Sequence, residues 1–360
     1  MLLSVFLSIL ISARLVNFGL SASAVLLSQG EIIKDEIGGK VLGVSEQIFI
    51  TSASQVAQTE SSSQLGQVVN NAVARVSQLP LPELPQPPQL DQPMMRLPLN
   101  SVKGEENQAQ EPDLSASNAA VLDCQNNSLL LAKRPDRPWP IASITKLATA
   151  LVFLDYNPGW EKIYQIKEAD RRDGGKIYLF TGEQVKVKDL FHFSLIGSDN
   201  TATIALVNST GLSEEQFVAK MNDKMQSLGL KNTRFKDPAG LDDNNISTAR
   251  EIALLTNLAL AKNEISQASL TKKYEFITRA GRKKIIYNTN VLLDDFPQQG
   301  ISLLGGKTGH INAAGYCLVS KFTNNSGQEI VTVVLGAANN SARFDQTKKL
   351  VDLVYNNQSF

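Results

Sequence analysis

The pattern of apolar and polar positions divides the chain into three textures. Residues 1–28 are apolar almost throughout, from Met1-Leu2-Leu3 to Ala24-Val25-Leu26-Leu27, interrupted by Arg14 and Asn17. Residues 29–115 show little sustained periodicity. Leu65, Val68, Val69, Ala72, Val73, Val76 and Leu79 recur there at helical spacing, and Leu79-Pro80-Leu81-Pro82 opens a proline-rich stretch that favours extended chain. From about Ala119 onward, apolar runs alternate with turn signals, as in a packed domain.

Within that domain, Ala119–Cys124 and Ser128–Ala132 read as two strands joined at Gln125-Asn126-Asn127. Pro138 and Pro140 precede the run Leu147–Leu154, which is too hydrophobic all round for a surface helix, so a buried helix starts near Ser143. Further helices are predicted over 188–196, 202–208, 214–228 (capped by Ser213 and closed by Gly229) and 249–261 (capped by Thr248). Ile301–Leu304 returns to strand. Gly315–Ser320 and Ile330–Leu335 form a hairpin around Asn324-Asn325-Ser326-Gly327, and 343–356 is a closing helix. Strands at both ends of the domain with helices between predict an α+β fold. Its antiparallel sheet is flanked by helices and carries an inserted, largely helical subdomain.

Charge changes this picture little. Thirty-five basic and 35 acidic residues cancel, which gives no electrostatic case for nucleic acid. Two cysteines, Cys124 and Cys317, make no disulfide framework. Two histidines, His192 and His310, exclude a His-rich metal site and disfavour a Ser-His-Asp triad. A hydrolase built from this chain needs another base. For residues 1–28 two readings stay open: a secretory signal ending near Ala22-Ser23-Ala24, or a retained membrane anchor. Either exports the rest of the chain, and residues 29–115 then form a Pro/Gln/Ser-rich stalk before a domain over 116–358.

The chemistry begins at Ser143 and Lys146, one helical turn apart on one face. A buried lysine is costly, and it makes sense beside a hydroxyl if the amine is neutral and takes the serine proton. Two more short motifs follow in order, Ser198-Asp199-Asn200 and Lys307-Thr308-Gly309. A second Ser-x-x-Lys, Ser269–Lys272, lacks an apolar helix and falls after the Ser-Asp-Asn, so it is set aside. The ordered trio resembles the penicillin-binding proteins and serine β-lactamases. Asp237-Pro238-x-Gly240-Leu241-Asp242, Thr248-Ala249-Arg250-Glu251 and Gly306–His310 make the stretch from about 115 to 355 similar to the serine D-alanyl-D-alanine carboxypeptidases. In that family the second motif more often has Gly where Asp199 stands here.

The resemblance implies a β-lactamase/transpeptidase-like fold with about five strands, and an acyl-enzyme mechanism with neither metal nor organic cofactor. It assigns catalytic roles to Ser143 (nucleophile), Lys146 (base) and Ser198 (proton relay). It assigns substrate binding to Asn200, Lys307, Thr308, Gly309 and His310, the last through its backbone N–H in an oxyanion hole with Ser143. Burial and the Lys307 charge are both expected to lower the Lys146 pKa. The implied partners are peptidoglycan stem peptides and, as acylating inhibitors, β-lactams. Nucleic acid is not a partner, and a membrane is met only through the N-terminal segment. A DD-endopeptidase is a close variant. A class A β-lactamase is disfavoured, because no Glu is followed by Asn three residues later. A non-catalytic wall-binding protein is the third alternative. His192 is expected to be a satisfied core residue and Asp237 and Asp242 turn residues. Arg250 and Arg343 are left between structural ion pairs and carboxylate contacts.

Overall fold

A computed structural model describes residues 111–356 except 177, 295 and 297–299; the predicted anchor and nearly all of the predicted stalk lie outside the described residues. Strand β1 (Asn118–Asp123) turns into β2 (Leu129–Lys133), the predicted hairpin. The chain then leaves the sheet through a short β3 (Trp139–Pro140), a 3-10 turn at Ala142–Ile144, and α1 (Thr145–Asp155). A two-stranded ladder of β4 (Ile163–Gln165) and β5 (Gln184–Lys186) precedes α2 (Val187–Ile196), α3 (Asn200–Ser209) and α4 (Glu214–Ser227). After β6 (Ile246–Ser247) come α5 (Ala249–Leu260) and α6 (Asn263–Leu270), then a hairpin of β7 (Lys273–Ile277) and β8 (Lys283–Tyr287). Strands β9 (Ile301–Ile311), β10 (Gly315–Asn324) and β11 (Glu329–Ala337) rejoin the sheet, and α7 (Asn340–Tyr355) ends the described chain.

The sheet is antiparallel with strand order β2-β1-β11-β10-β9, so both ends of the domain build it. Its central strands are buried on both faces, and their side chains alternate between two cores. Ala120, Leu122, Cys317, Val319, Val331, Val333 and Leu335 face α5 and the helical subdomain. Ala119, Val121, Leu318, Val334 and Phe322 face the other way, with Phe344, Leu350 and Val351 of α7. Each large apolar side chain so buried contributes about 1.5–3 kcal/mol.

Local chemistry explains the helix ends. Ser213 Oγ accepts from Gln216 N (3.1 Å) while Gln216 Oε1 accepts from Ser213 N (2.9 Å), a reciprocal capping box. Thr248, Asp199 and Asn339 cap α5, α3 and α7 by accepting from Glu251 N, Ala202 N and Ala342 N.

Three departures from the sequence reading matter. Helix α6 and the β7–β8 hairpin were not predicted. The hairpin lays Tyr274 and Phe276 against Phe193 of α2 and leaves Lys273, Glu275 and Lys283 outside, an alternation that its charges obscure. Strand β9 does not end at Leu304 but runs through the Lys-Thr-Gly motif: pairing with β10 skips Leu304 as a bulge and resumes at Gly305, at φ +146°, opposite Lys321. Ser143 lies on the 3-10 turn just before α1 rather than in its first turn. Both cysteines are free thiols, and burial raises their pKa values.

Candidate active site

The site forms where the Ala142–Ile144 turn, the start of α3 and strand β9 meet. Pro140 brings the chain out of β3, and Ala142 takes a left-handed backbone (φ +48°) that swings Ser143 into the groove. A non-glycine residue held there stores strain, as functional turns often do. Gly240, at φ +82°, presses against this turn; a Cβ on it would lie 2.0 Å from Ala142 O. Gly309 of β9 approaches from the other side, where a Cβ would stand 2.9 Å from Ile141 O and 3.2 Å from Ser143 N. Glycine at both positions lets two backbones close around the serine.

Lys146 is 0% exposed. Its Nζ lies 2.8 Å from Ser143 Oγ, 2.8 Å from Asn200 Oδ1 and 2.6 Å from Ala239 O. Burial pulls its pKa down to about 7, and the carboxylates of Asp237 and Asp199 oppose that pull. The expected push from Lys307 is therefore corrected: desolvation does the lowering, and the charges that act on Lys146 are negative. Lys307 is itself buried (1% exposed) and its pKa is lowered, first by burial and then by the Lys146 and Arg343 charges.

Ser198 also has a left-handed backbone (φ +59°), and its Oγ accepts from Lys307 Nζ at 2.9 Å. Asn200 begins α3; while Oδ1 serves Lys146, its Nδ2 donates to Gly174 O at 2.8 Å. Asp199 between them caps the helix through Ala202 N, and burial pushes its carboxyl up to about 6. Thr308 Oγ1 and Thr289 Oγ1 share a 2.6 Å hydrogen bond. The structure thus brings Ser143, Lys146, Ser198, Asn200, Lys307, Thr308 and Gly309 to one groove. His310 is next on the strand, with its exposed ring against Tyr316 at a tilt of 31°.

The remaining candidates separate from the groove. Ser269 closes α6, its hydroxyl donating to Ser266 O, and Lys272 pairs with Asp294, so the second Ser-x-x-Lys assembles nothing. His192 stacks on Tyr274 with Nδ1 at Lys188 O, as a packed histidine does. Asp237 and Asp242 both bind turn N–H groups. Arg250 pairs with Asp136 on the surface. Among the described residues Arg343 reaches no carboxylate; it donates to Gly309 O (3.1 Å) and supports β9 from behind. Two contacts escaped the sequence reading: the Ala239 carbonyl on Lys146 and the Gly174 carbonyl on Asn200. Backbone atoms have no signature in residue type, although Gly174-Gly175 and the turn Asp237–Gly240 mark where they arise.

Among curated relatives, a D-alanyl-D-alanine endopeptidase of Haemophilus influenzae is 35% identical over 63% of this chain and 76% of its own length. The D-alanyl-D-alanine carboxypeptidase DacF of Bacillus subtilis is 30% identical over 67% of this chain; the match spans 62% of DacF, less than two thirds of it. Among solved structures, a Streptomyces DD-transpeptidase superposes with a TM-score of 0.63 at 26% identity, covering 68% of this chain and 98% of that one. The family model described as D-alanyl-D-alanine carboxypeptidase matches residues 105–339. The chain belongs to the D-alanyl-D-alanine carboxypeptidase family of serine peptidases.

Proposed function

We propose that this groove cleaves the bond between two D-alanines at the end of a peptidoglycan stem peptide, through an acyl-enzyme on Ser143. The observation that carries the reading is the buried Lys146 amine 2.8 Å from Ser143 Oγ. A neutral amine has two N–H groups and one lone pair. Asn200 Oδ1 and Ala239 O are acceptors and take the two donors. The lone pair is left facing the serine hydroxyl, which is what a general base requires. Ser143 Oγ then attacks the carbonyl as its proton passes to Lys146. The backbone N–H groups of Ser143 and His310 receive the developing oxyanion. Ser198, bonded to Lys307 Nζ, passes its proton to the departing D-alanine nitrogen and takes in return the proton that Lys146 received, which restores the neutral amine. Lys307 and Thr308 hold the terminal carboxylate, Asn200 steadies the peptide, and Gly309 admits it alongside β9. Water then releases the shortened peptide.

The same acyl-enzyme serves a DD-endopeptidase that cuts cross-bridges, and the relatives from Haemophilus influenzae and Escherichia coli that carry this name are 35% and 32% identical. The acylating nucleophile and the attacking base would be unchanged; only the amine leaving group differs. Penicillins would acylate the same serine. A wall substrate calls for an extracytoplasmic location, with residues 1–28 directing export and 29–115 spacing the domain. The test is D-alanine release from a synthetic stem pentapeptide by the full chain, beside a cross-linked dimer. Release by wild type and its loss in Ser143→Ala support the reading; release retained in Ser143→Ala overturns it.

A further inference from the structure

The turn from Asp237 to Asn245 is tied to the nucleophile turn at several points. The Asp237 carboxylate gathers four successive backbone N–H groups: Ala239 and Gly240 at 2.7 Å, Leu241 at 3.0 Å and Asp242 at 2.7 Å. Asn245 is fully buried and uses its whole side-chain amide. Its Oδ1 accepts from Lys236 N (2.7 Å) and Asp237 N (3.2 Å), and its Nδ2 donates to Asp237 O (2.7 Å) and Thr145 Oγ1 (3.1 Å). Its backbone oxygen accepts from Ile141 N at 3.0 Å. Thr149 Oγ1 of α1 donates to Pro238 O at 2.6 Å. Gly240 packs on Ala142 O. These bonds leave the Ala239 carbonyl pointing at Lys146 Nζ.

We propose that Asp237 and Asn245 are positioning residues for acylation, which fix the Ala239 carbonyl as the partner that turns the Lys146 lone pair toward Ser143. This rests on the reading of Ser143 as nucleophile and Lys146 as base. The reason is geometric. Asn200 Oδ1 alone fixes one N–H of the amine and leaves it free to rotate about that bond. A second fixed acceptor removes the rotation. Small displacements of such groups cost rate steeply. Asp237 has a second effect, through charge. The charged groups that face Lys146 are Asp199 from the start of α3, Asp237 from this turn and Lys307 from β9, and the two carboxylates favour its protonated form.

The experiment measures acylation of the full chain by a fluorescent penicillin as a function of pH, in wild type, Asp237→Asn, Asp237→Ala and Asn245→Ala, with the folded fraction monitored by circular dichroism. Asp237→Asn keeps one of the two acceptor oxygens, turns the other into an amide donor, and loses the charge. Its acid limb should move to lower pH, with a plateau between those of wild type and Asp237→Ala. The two alanine variants should lose about tenfold or more in plateau rate per folded molecule. A limb that stays in place in Asp237→Asn, or alanine variants whose folded fraction acylates at the wild-type rate, would overturn the proposal. If the alanine variants do not fold, the Asp237→Asn limb decides. If wild type itself is not acylated, the functional reading fails separately. The carbon-13 NMR titration of Lys146 in wild type and Asp237→Asn then decides the inference, a lowered midpoint supporting it and an unchanged one ending it.

Discussion

The side-chain amine of Lys307 donates to Ser198 Oγ across 2.9 Å, which joins strand β9 to the loop that opens α3. Lys307 has a second acceptor in Thr308 O at 2.9 Å, so its amine is held between strand and loop, not free in the groove. Two lysines, each buried and each bonded to a serine, therefore face one another across the site. Lys307→Ala removes a fixed charge at the proposed carboxylate position and frees the Ser198 hydroxyl. Acylation should fall by about 10²–10³-fold without loss of fold, read by stopped-flow fluorescence with a labelled penicillin.

Gly240 presses more tightly on the Ala142–Ile144 turn than Gly309 does. Its φ of +82°, and the 2.0 Å that would separate an added Cβ from Ala142 O, leave no room for a side chain. Gly240→Ala should displace Ser143 and destabilise the domain. Thermal unfolding should shift downward, and the folded remainder should acylate at least about tenfold more slowly.

The pH dependence follows from Lys146. Its pKa, lowered from 10.5 to about 7, places an acid limb near pH 7, with acylation rising as the amine loses its proton. The stability effect has a definite sign. Between about 7 and 10.5 the unfolded chain holds this proton and the folded chain does not, so stability from this group rises with pH across that window. Below pH 7 both states are protonated and the cost of burying the charge is complete. Lys146→Met should therefore stabilise the fold more at pH 6 than at pH 9, in urea unfolding followed at both values.

Glu183 is 3% exposed and bridges Lys284 at 2.7 Å and Arg282 at 3.3 Å, while its Oε2 also accepts from Phe180 N. Lys284 in turn donates to Tyr178 O. This network anchors one end of the segment whose Gly174 carbonyl meets Asn200. Glu183→Gln strands a nearly buried cation and should cost about 3 kcal/mol of stability, measured by chemical denaturation.

Much of this architecture was legible in the residues. The central strands β1, β10 and β11 announced themselves as apolar runs between turn signals, and α4 and α5 by caps and periodicity. The β7–β8 hairpin did not, because its outer face mixes Lys and Glu with the exposed Ile277 and Tyr287, and its inner face sets the charged Lys284 beside Tyr274, Phe276 and Ile286. The side chains of the groove were readable because serine, lysine and asparagine at fixed spacing are unusual beside an apolar helix. The left-handed backbones at Ala142 and Ser198 were not, since neither residue type favours that conformation and tertiary contacts impose it. The electrostatics around Lys146 were also hidden. The sequence places Lys307 in the site but does not show that Asp237 and Asp199 act more directly on the amine.

The central claim, that Ser143 is a nucleophile served by Lys146, meets its most direct test in intact-protein mass spectrometry after exposure to a penicillin, with the modified peptide mapped. One long-lived adduct of one penicillin mass is predicted on Ser143, absent from Ser143→Ala and strongly slowed in Lys146→Met. An adduct on another residue, or none on wild type at saturating penicillin, would contradict it.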